Sequence, residues 1–258
     1  MREDSKSLSR KRYTRYGQGY VNSETHARGE DLEGLLAMAQ PQPDWIVLDV
    51  ATGAGHTALK FAPLVAKVIA TDLTPKMLAV AQEFVAAQGV ENVEFRQADA
   101  ENLPFEPETF DLVTCRIAAH HFPEPKRLVR ESARVLKPGG LLLVQDQVVP
   151  EDRETEQYIN AFEKLRDPSH NRALSENEWL EIFQENGLSV EDTHLVVKRH
   201  AFLNWAEMQG CTPAVIEQLS EMLAEAPFLA AAWLQARDVG TPAASFANHH
   251  LLIAGRKA

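Results

Sequence analysis

The chain has 258 residues, 45% of them hydrophobic, with two cysteines and a formal net charge of −11. No apolar run approaches the roughly 20 residues that span a bilayer, two cysteines exclude a disulfide framework, and the acidic balance repels a phosphate backbone. The length suits one α/β domain, or a core with a small cap. The expectation is a cytoplasmic protein with no nucleic-acid or membrane-inserted partner. Its oligomeric state is left open, a homodimer included.

The first twenty residues carry no apolar h-region and are not read as a secretory signal. They hold a basic stretch of Lys6, Arg10, Lys11, Arg12 and Arg15, which is either a solvated tail or a lid over a ligand. From Trp45 onward strand and helix signals alternate. WIVLDVA (45–51), KVIATDL (67–73), NVEFRQAD (92–99), DLVTCRI (111–117) and LLLVQDQVV (141–149) are five strand candidates. Most are apolar on both faces, as strands of a buried parallel sheet are. Thr74 is placed to cap a helix with Pro75 at its first position. Met77, Ala81, Phe84, Val85 and Gln88 follow helical spacing, and Gly89 stops the helix. A second helix starts near Pro125, shows Leu128, Ser132, Val135 and Leu136 on one face, and ends at Lys137–Gly140. This alternation predicts βαβ units in a doubly wound, mostly parallel sheet.

After Pro150 helix signals dominate. Tyr158, Phe162 and Leu165 share a face. Ser175 and Glu178 form a capping box, with Leu174 and Trp179 at the staple positions around it. Gly187 closes that helix. Residues 188–202 read as a strand, 212–226 as a helix and 245–257 as a last strand. The material between 150 and 245 is suited to cap a site.

The first strand runs into Asp49-Val50-Ala51-Thr52-Gly53-Ala54-Gly55. Small residues there let the backbone turn tightly and let a ligand approach the main chain. The next helix starts near Gly55 and turns its N-terminal N–H groups to that ligand. Asp72 ends the second strand, 23 residues after Asp49. A carboxylate there can accept both hydroxyls of a ribose, of a dinucleotide or of S-adenosylmethionine. The third glycine of a dinucleotide fingerprint is missing, since Ala58 stands three residues after Gly55.

These segments, with Asp99-Ala100-Glu101-Asn102-Leu103-Pro104-Phe105, FDLVTCRIAAHHF (110–122) and RVLKPGGLLLV (134–144), occur in the order and spacing of the class I S-adenosylmethionine-dependent methyltransferases. The chain resembles that family over about residues 20–150, and most of all its menaquinone/ubiquinone-biosynthesis type. The resemblance implies one Rossmann-like domain, 1–258, with the cofactor core at about 20–150 and residues 151–258 completing the sheet and a substrate cap. It implies S-adenosylmethionine as cofactor, S-adenosylhomocysteine as product and a small-molecule acceptor; the alternatives are a protein that binds the cofactor without methyl transfer, or a nicotinamide-dependent dehydrogenase. It also implies roles for residues. Asp49, Ala51, Thr52, Gly53 and Gly55 hold the methionine end, and Asp72 the ribose. Leu73 and Met77 sandwich the adenine, Met77 serving equally well as helix core. Asp99 and Ala100 read the adenine edge, and Arg116 with Ile117 lines the floor. Tyr20 and His26 belong to a segment that folds over the cofactor. Ala51 departs from the family, where many members carry glycine.

Methyl transfer needs a nucleophile in line with the methyl group, and a base only where that nucleophile holds its proton tightly. His120 and His121 follow the fourth strand, at the end of the sheet where ligands lie. Each is a candidate base or substrate contact, His121 before His120, or else a packing residue. Adjacent histidines without further ligands at metal spacing make no metal site. Arg166, His170 and Arg172 crowd a turn that is either a well-bonded loop or a clamp for a substrate carboxylate.

Overall fold

The computed structural model describes residues 5–16 and 30–258. The strands are β1 (Ile46–Val50), β2 (Lys67–Asp72), β3 (Val93–Gln97), β4 (Phe110–Arg116), β5 (Leu136–Val149), the two-residue β6 (Leu174–Ser175), β7 (Leu188–Ala201) and β8 (Ser245–Lys257). They lie in the order β3-β2-β1-β4-β5-β8-β7, with β6 on the side of β5. Strands β1 to β5 pair in parallel, and β8 runs antiparallel to both β5 and β7. All five expected strands are present. Chain order reverses between β1 and β4, which opens a crevice beyond their carboxyl ends.

The expected fifth strand starts too late. β5 begins at Leu136, directly after its helix. Phe110 lies opposite Leu136, and Leu112 already opposite Leu141. Lys137–Gly140 therefore arch out as a bulge inside the strand. The arch is anchored by Lys137, whose Nζ lies 2.7 and 2.8 Å from the two carboxylate oxygens of Asp111.

The helices are α1 (Ser5–Tyr16), α2 (Glu30–Ala39), α3 (His56–Phe61), α4 (Pro75–Ala86), α5 (Pro125–Val135), α6 (Arg153–Arg166), α7 (Glu176–Glu185), α8 (Phe202–Met208), α9 (Pro213–Ala224) and α10 (Phe228–Leu234). In α4 the buried positions are Met77, Val80, Ala81 and Val85, and Gly89 leaves the helix at φ 73°. Thr74 precedes α4 as expected, but its hydroxyl makes no capping bond. Its N–H instead donates to Asp72 Oδ1 at 2.8 Å, so the turn serves the acid before it serves the helix. The capping box of α7 is complete: Glu178 N–H donates to Ser175 Oγ, and Ser175 N–H to Glu178 Oε2.

Three apolar packs hold the layers. Leu128, Val129 and Val135 of α5 join Trp179 and Phe183 of α7 on one face of the sheet. Leu32 and Leu35 of α2 and Phe61 of α3 cover the other face. Phe162, Trp205, Leu219 and Phe246 bind α6, α8 and α9 to β8 and form a cap beside the crevice. No helix among the described residues is long and apolar enough to cross a membrane.

Candidate active site

The turn after β1 is built for close approach. Ala51, Gly53 and Gly55 have φ of 53°, 57° and 89°. A Cβ on Gly55 would stand 3.2 Å from both Ala81 Cβ and Val85 Cγ2 of α4, so glycine is required there by space and by backbone. Ala51 adopts a left-handed backbone that costs an alanine about 1–2 kcal/mol and that glycine adopts without that cost. Ala51→Gly should therefore stabilise the protein by up to about 1 kcal/mol once the entropy of glycine is deducted. Thermal unfolding should shift upward by about 2–4 °C. A lowered melting temperature would show that the alanine methyl packs more strongly than the backbone is strained.

Both carboxylates around the turn are saturated on their inner sides. Asp49 accepts from the Thr52 hydroxyl at 2.6 Å and the Thr114 hydroxyl at 2.8 Å. Asp72 accepts from Gly53 N–H at 3.1 Å and Thr74 N–H at 2.8 Å, one on each oxygen. Each Asp72 oxygen keeps a further acceptor direction. Burial pushes both acids up to about 6, against the hydrogen bonds that favour their charged forms.

A cleft of about 1070 Å³, counted out to its open mouth, lies over this turn. Asp49, Ala51, Thr52, Gly53, Asp72, Leu73, Met77, Asp99, Ala100, Arg116 and His121 all line it. Gly55 stands just beneath, heading α3. Arg116 is held by the buried Asp31 of α2, with Nε 2.8 Å and Nη2 2.7 Å from Oδ2. Tyr20 and His26 lie outside the described residues.

The basic N-terminal stretch is the lid of the two alternatives. Lys6, Ser9 and Tyr13 share one face of α1 and line the cleft. Lys6 Nζ lies 2.6 Å from Asp99 Oδ2 and also pairs with Glu101. Arg12 reaches across to the Asp167 carboxylate at 2.9 Å and the Gln209 carbonyl at 2.7 Å. Lys6 and Arg12 belong to the basic stretch read from the sequence; Ser9 and Tyr13 were missed because α1 has no clear apolar face, and the signal was the i, i+3, i+7 spacing of Lys6, Ser9 and Tyr13. His56 and Phe122 of the lining were missed as well.

After β4 the chain is strained. Ile117, a β-branched residue, has φ 53°, and its N–H donates to the Gln145 carbonyl at 2.7 Å. Such outliers persist where surrounding structure holds them. This one turns the chain into the 3₁₀ turn Ala119–His121. The two histidines then part. His121 faces the cleft. His120 points behind it, with its N–H and Nδ1 on the two oxygens of Asp146 at 2.7 and 2.6 Å. Burial lowers the affinity of His120 for a proton, but Asp146 outweighs it and leaves the imidazolium favoured above its ordinary range. His121 has no such carboxylate contact. Burial, and then the neighbouring His120, bring it down to about 4.

The Arg166–Arg172 cluster is not brought to the cleft. Arg166 donates to the Trp205 carbonyl and lies over its ring. Arg172 is paired with Glu156 and Glu178. His170 stacks on His120 and bonds Asn160 Oδ1 at 2.8 Å. The three build a bonded loop behind the site, since each already has partners there.

A sequence profile of the methyltransferase domain matches residues 48–144. YcgJ, an uncharacterized methyltransferase of Bacillus subtilis, is 41% identical over 202 residues, 78% of this chain and 79% of the relative. The ubiquinone/menaquinone biosynthesis C-methyltransferase UbiE of a Marinomonas species is 39% identical over 120 residues, 45% of this chain and 48% of that protein. The crystal structure of a Bacillus halodurans protein described as a methyltransferase superposes with a TM-score of 0.85 at 40% identity, covering 89% of this chain and 99% of its own.

Proposed function

The chain belongs to the class I methyltransferase family, and from that premise we propose that it uses S-adenosylmethionine to methylate a small acceptor lodged beside His121. The observation that carries this reading is a single cleft bounded by the glycine turn, Asp72 and Asp99. The fit is chemical. Asp49 and Asp72 give the lining an acidic balance that suits a cation, since Lys6 is paired with Asp99 and Arg116 with Asp31. The turn has room for a ligand against the main chain, and Asp72 has the acceptor directions that two ribose hydroxyls need.

In this reading Ala51–Gly55 hold the methionine end and Asp72 the ribose. Leu73 and Met77 flank the adenine, and Asp99 with Ala100 meets its edge. When bound, S-adenosylmethionine supplies a sulfonium-activated methyl group. The protein's part is to align the acceptor, exclude water through α1 and the cap, and take a proton where the acceptor must lose one. The antiparallel β8 separates this sheet from the wholly parallel dinucleotide-binding arrangement.

Calorimetry tests the cofactor. S-adenosylhomocysteine should bind with measurable heat, and NAD should neither bind tightly nor compete. Tight NAD binding without heat from S-adenosylhomocysteine would sink the reading. Screening phenols, quinols, carboxylates and thiols with labelled S-adenosylmethionine then searches for the acceptor.

A further inference from the structure

One bond joins the lid to the turn after β4. The Tyr13 hydroxyl lies 2.7 Å from His121 Nε2, and the two rings meet edge to face with centroids 5.5 Å apart. Both side chains line the cleft. The direction of the bond follows from the other ring nitrogen. His121 Nδ1 is 3.1 Å from the Ser169 carbonyl, which can only accept. In the neutral ring the proton therefore belongs on Nδ1, and Nε2 offers its lone pair to Tyr13. In that bond the Tyr13 hydroxyl donates, so the bond draws on its hydrogen and not on the oxygen's lone pairs.

The groups around His121 fit a neutral resting ring. His120 stands beside it, with ring centroids 4.1 Å apart, and Asp146 of β5 holds His120. From the loop after α6 come Asp167, Ser169 and His170; from α1 come Tyr13 and Arg12, the latter paired with Asp167. Asp167 Oδ1 also accepts from the Ser169 hydroxyl at 2.6 Å. A carboxylate thus lies behind the ring, where it would favour an imidazolium formed during turnover.

Resting on the function proposed above, we infer that Tyr13 and His121 act as one proton-accepting pair, and that the acceptor attacks through a hydroxyl oxygen. Its proton passes to Tyr13 Oη as the tyrosine's own proton passes to His121 Nε2. The acceptor oxygen bonds to the methyl carbon with a lone pair, and the carbon–sulfur pair returns to sulfur. The imidazolium returns its proton to water after product leaves. An ammonium acceptor fits this end less well. The acids of the described lining are Asp49, Asp72 and Asp99, none of them on the turn that carries His121.

Tyr13→Phe keeps the ring and removes the relay. It takes a donor from the neutral imidazole, so His121 should titrate at higher pH in the variant than in the parent, read by nitrogen NMR of the full-length protein. With a hydroxyl acceptor from the screen, turnover should fall about 10²-fold or more while S-adenosylhomocysteine affinity holds. Tyr13→Phe combined with His121→Ala should cost little beyond His121→Ala alone. An unmoved His121 titration overturns the pair, whether or not the screen yields an acceptor. So does normal turnover of a hydroxyl acceptor by Tyr13→Phe, or a screen in which only amines or thiols are methylated. Absence of S-adenosylhomocysteine binding would instead defeat the cofactor reading itself.

Discussion

His121→Ala is expected to lower turnover by about 10²–10⁴-fold with cofactor affinity nearly unchanged, the range for loss of a positioned general base. The expectation rests on placement. His121 is the histidine of the pair that lines the cleft, and its unprotonated Nε2 accepts from Tyr13. Its low proton affinity, set first by burial, keeps the ring neutral and able to accept through the whole physiological range. The same substitution at position 120 should behave differently. His120 is locked on Asp146, and its carbonyl accepts from Asn171 and Arg172 N–H groups. His120→Ala leaves the buried Asp146 carboxylate with backbone N–H donors alone and should lower the melting temperature first. Turnover should then fall only as far as the turn is displaced. Kinetics and thermal unfolding of both variants separate the roles. A stable His121→Ala protein with normal turnover would remove His121 from the chemistry.

Asp72→Ala should weaken S-adenosylhomocysteine binding by roughly tenfold to a hundredfold, the equivalent of about 1.5–3 kcal/mol for a charge-assisted contact. Asp72→Asn should retain part of the affinity, since an amide oxygen still accepts. Acidity provides a second readout. Only the carboxylate accepts two hydroxyls, and burial has pushed its titration up to about 6. Affinity should be full near pH 7.5 and fall as pH drops through 6, levelling off at a loss no larger than that of Asp72→Ala. Stability of the cofactor-free protein should respond with the opposite sign. Asp49 and Asp72 hold protons more tightly folded than unfolded, so their contribution grows as pH falls from about 7 toward the ordinary carboxylate range. Calorimetry and melting curves at matched pH check both directions. An Asp72→Ala protein that is folded and binds as well as the parent would take the ribose role from this residue.

The family and sheet were legible in the chain because their signals are local. Apolar runs ending in small residues mark parallel strands. A turn that must adopt positive φ and admit a ligand restricts its residues to glycine or alanine, and an acid at the end of the second strand follows at a fixed distance. Ser175 and Glu178 form a cap within four residues of each other, so it too could be read directly. What the chain alone left undecided depends on long-range contact. The basic N-terminus is a lid only because Lys6 meets Asp99 and Tyr13 meets His121, partners about a hundred residues away. Position put His121 before His120 without showing what each touches, and the turn after Ile117 divides them, one to the cleft and one to Asp146. Arg166 and Arg172 could be read as a bonded loop or as a clamp, because composition shows charge but not what neutralises it. Their partners, the Trp205 carbonyl and the carboxylates of Glu156 and Glu178, come together only when α6, α7 and α8 pack, and that packing turns both guanidinium groups away from the cleft.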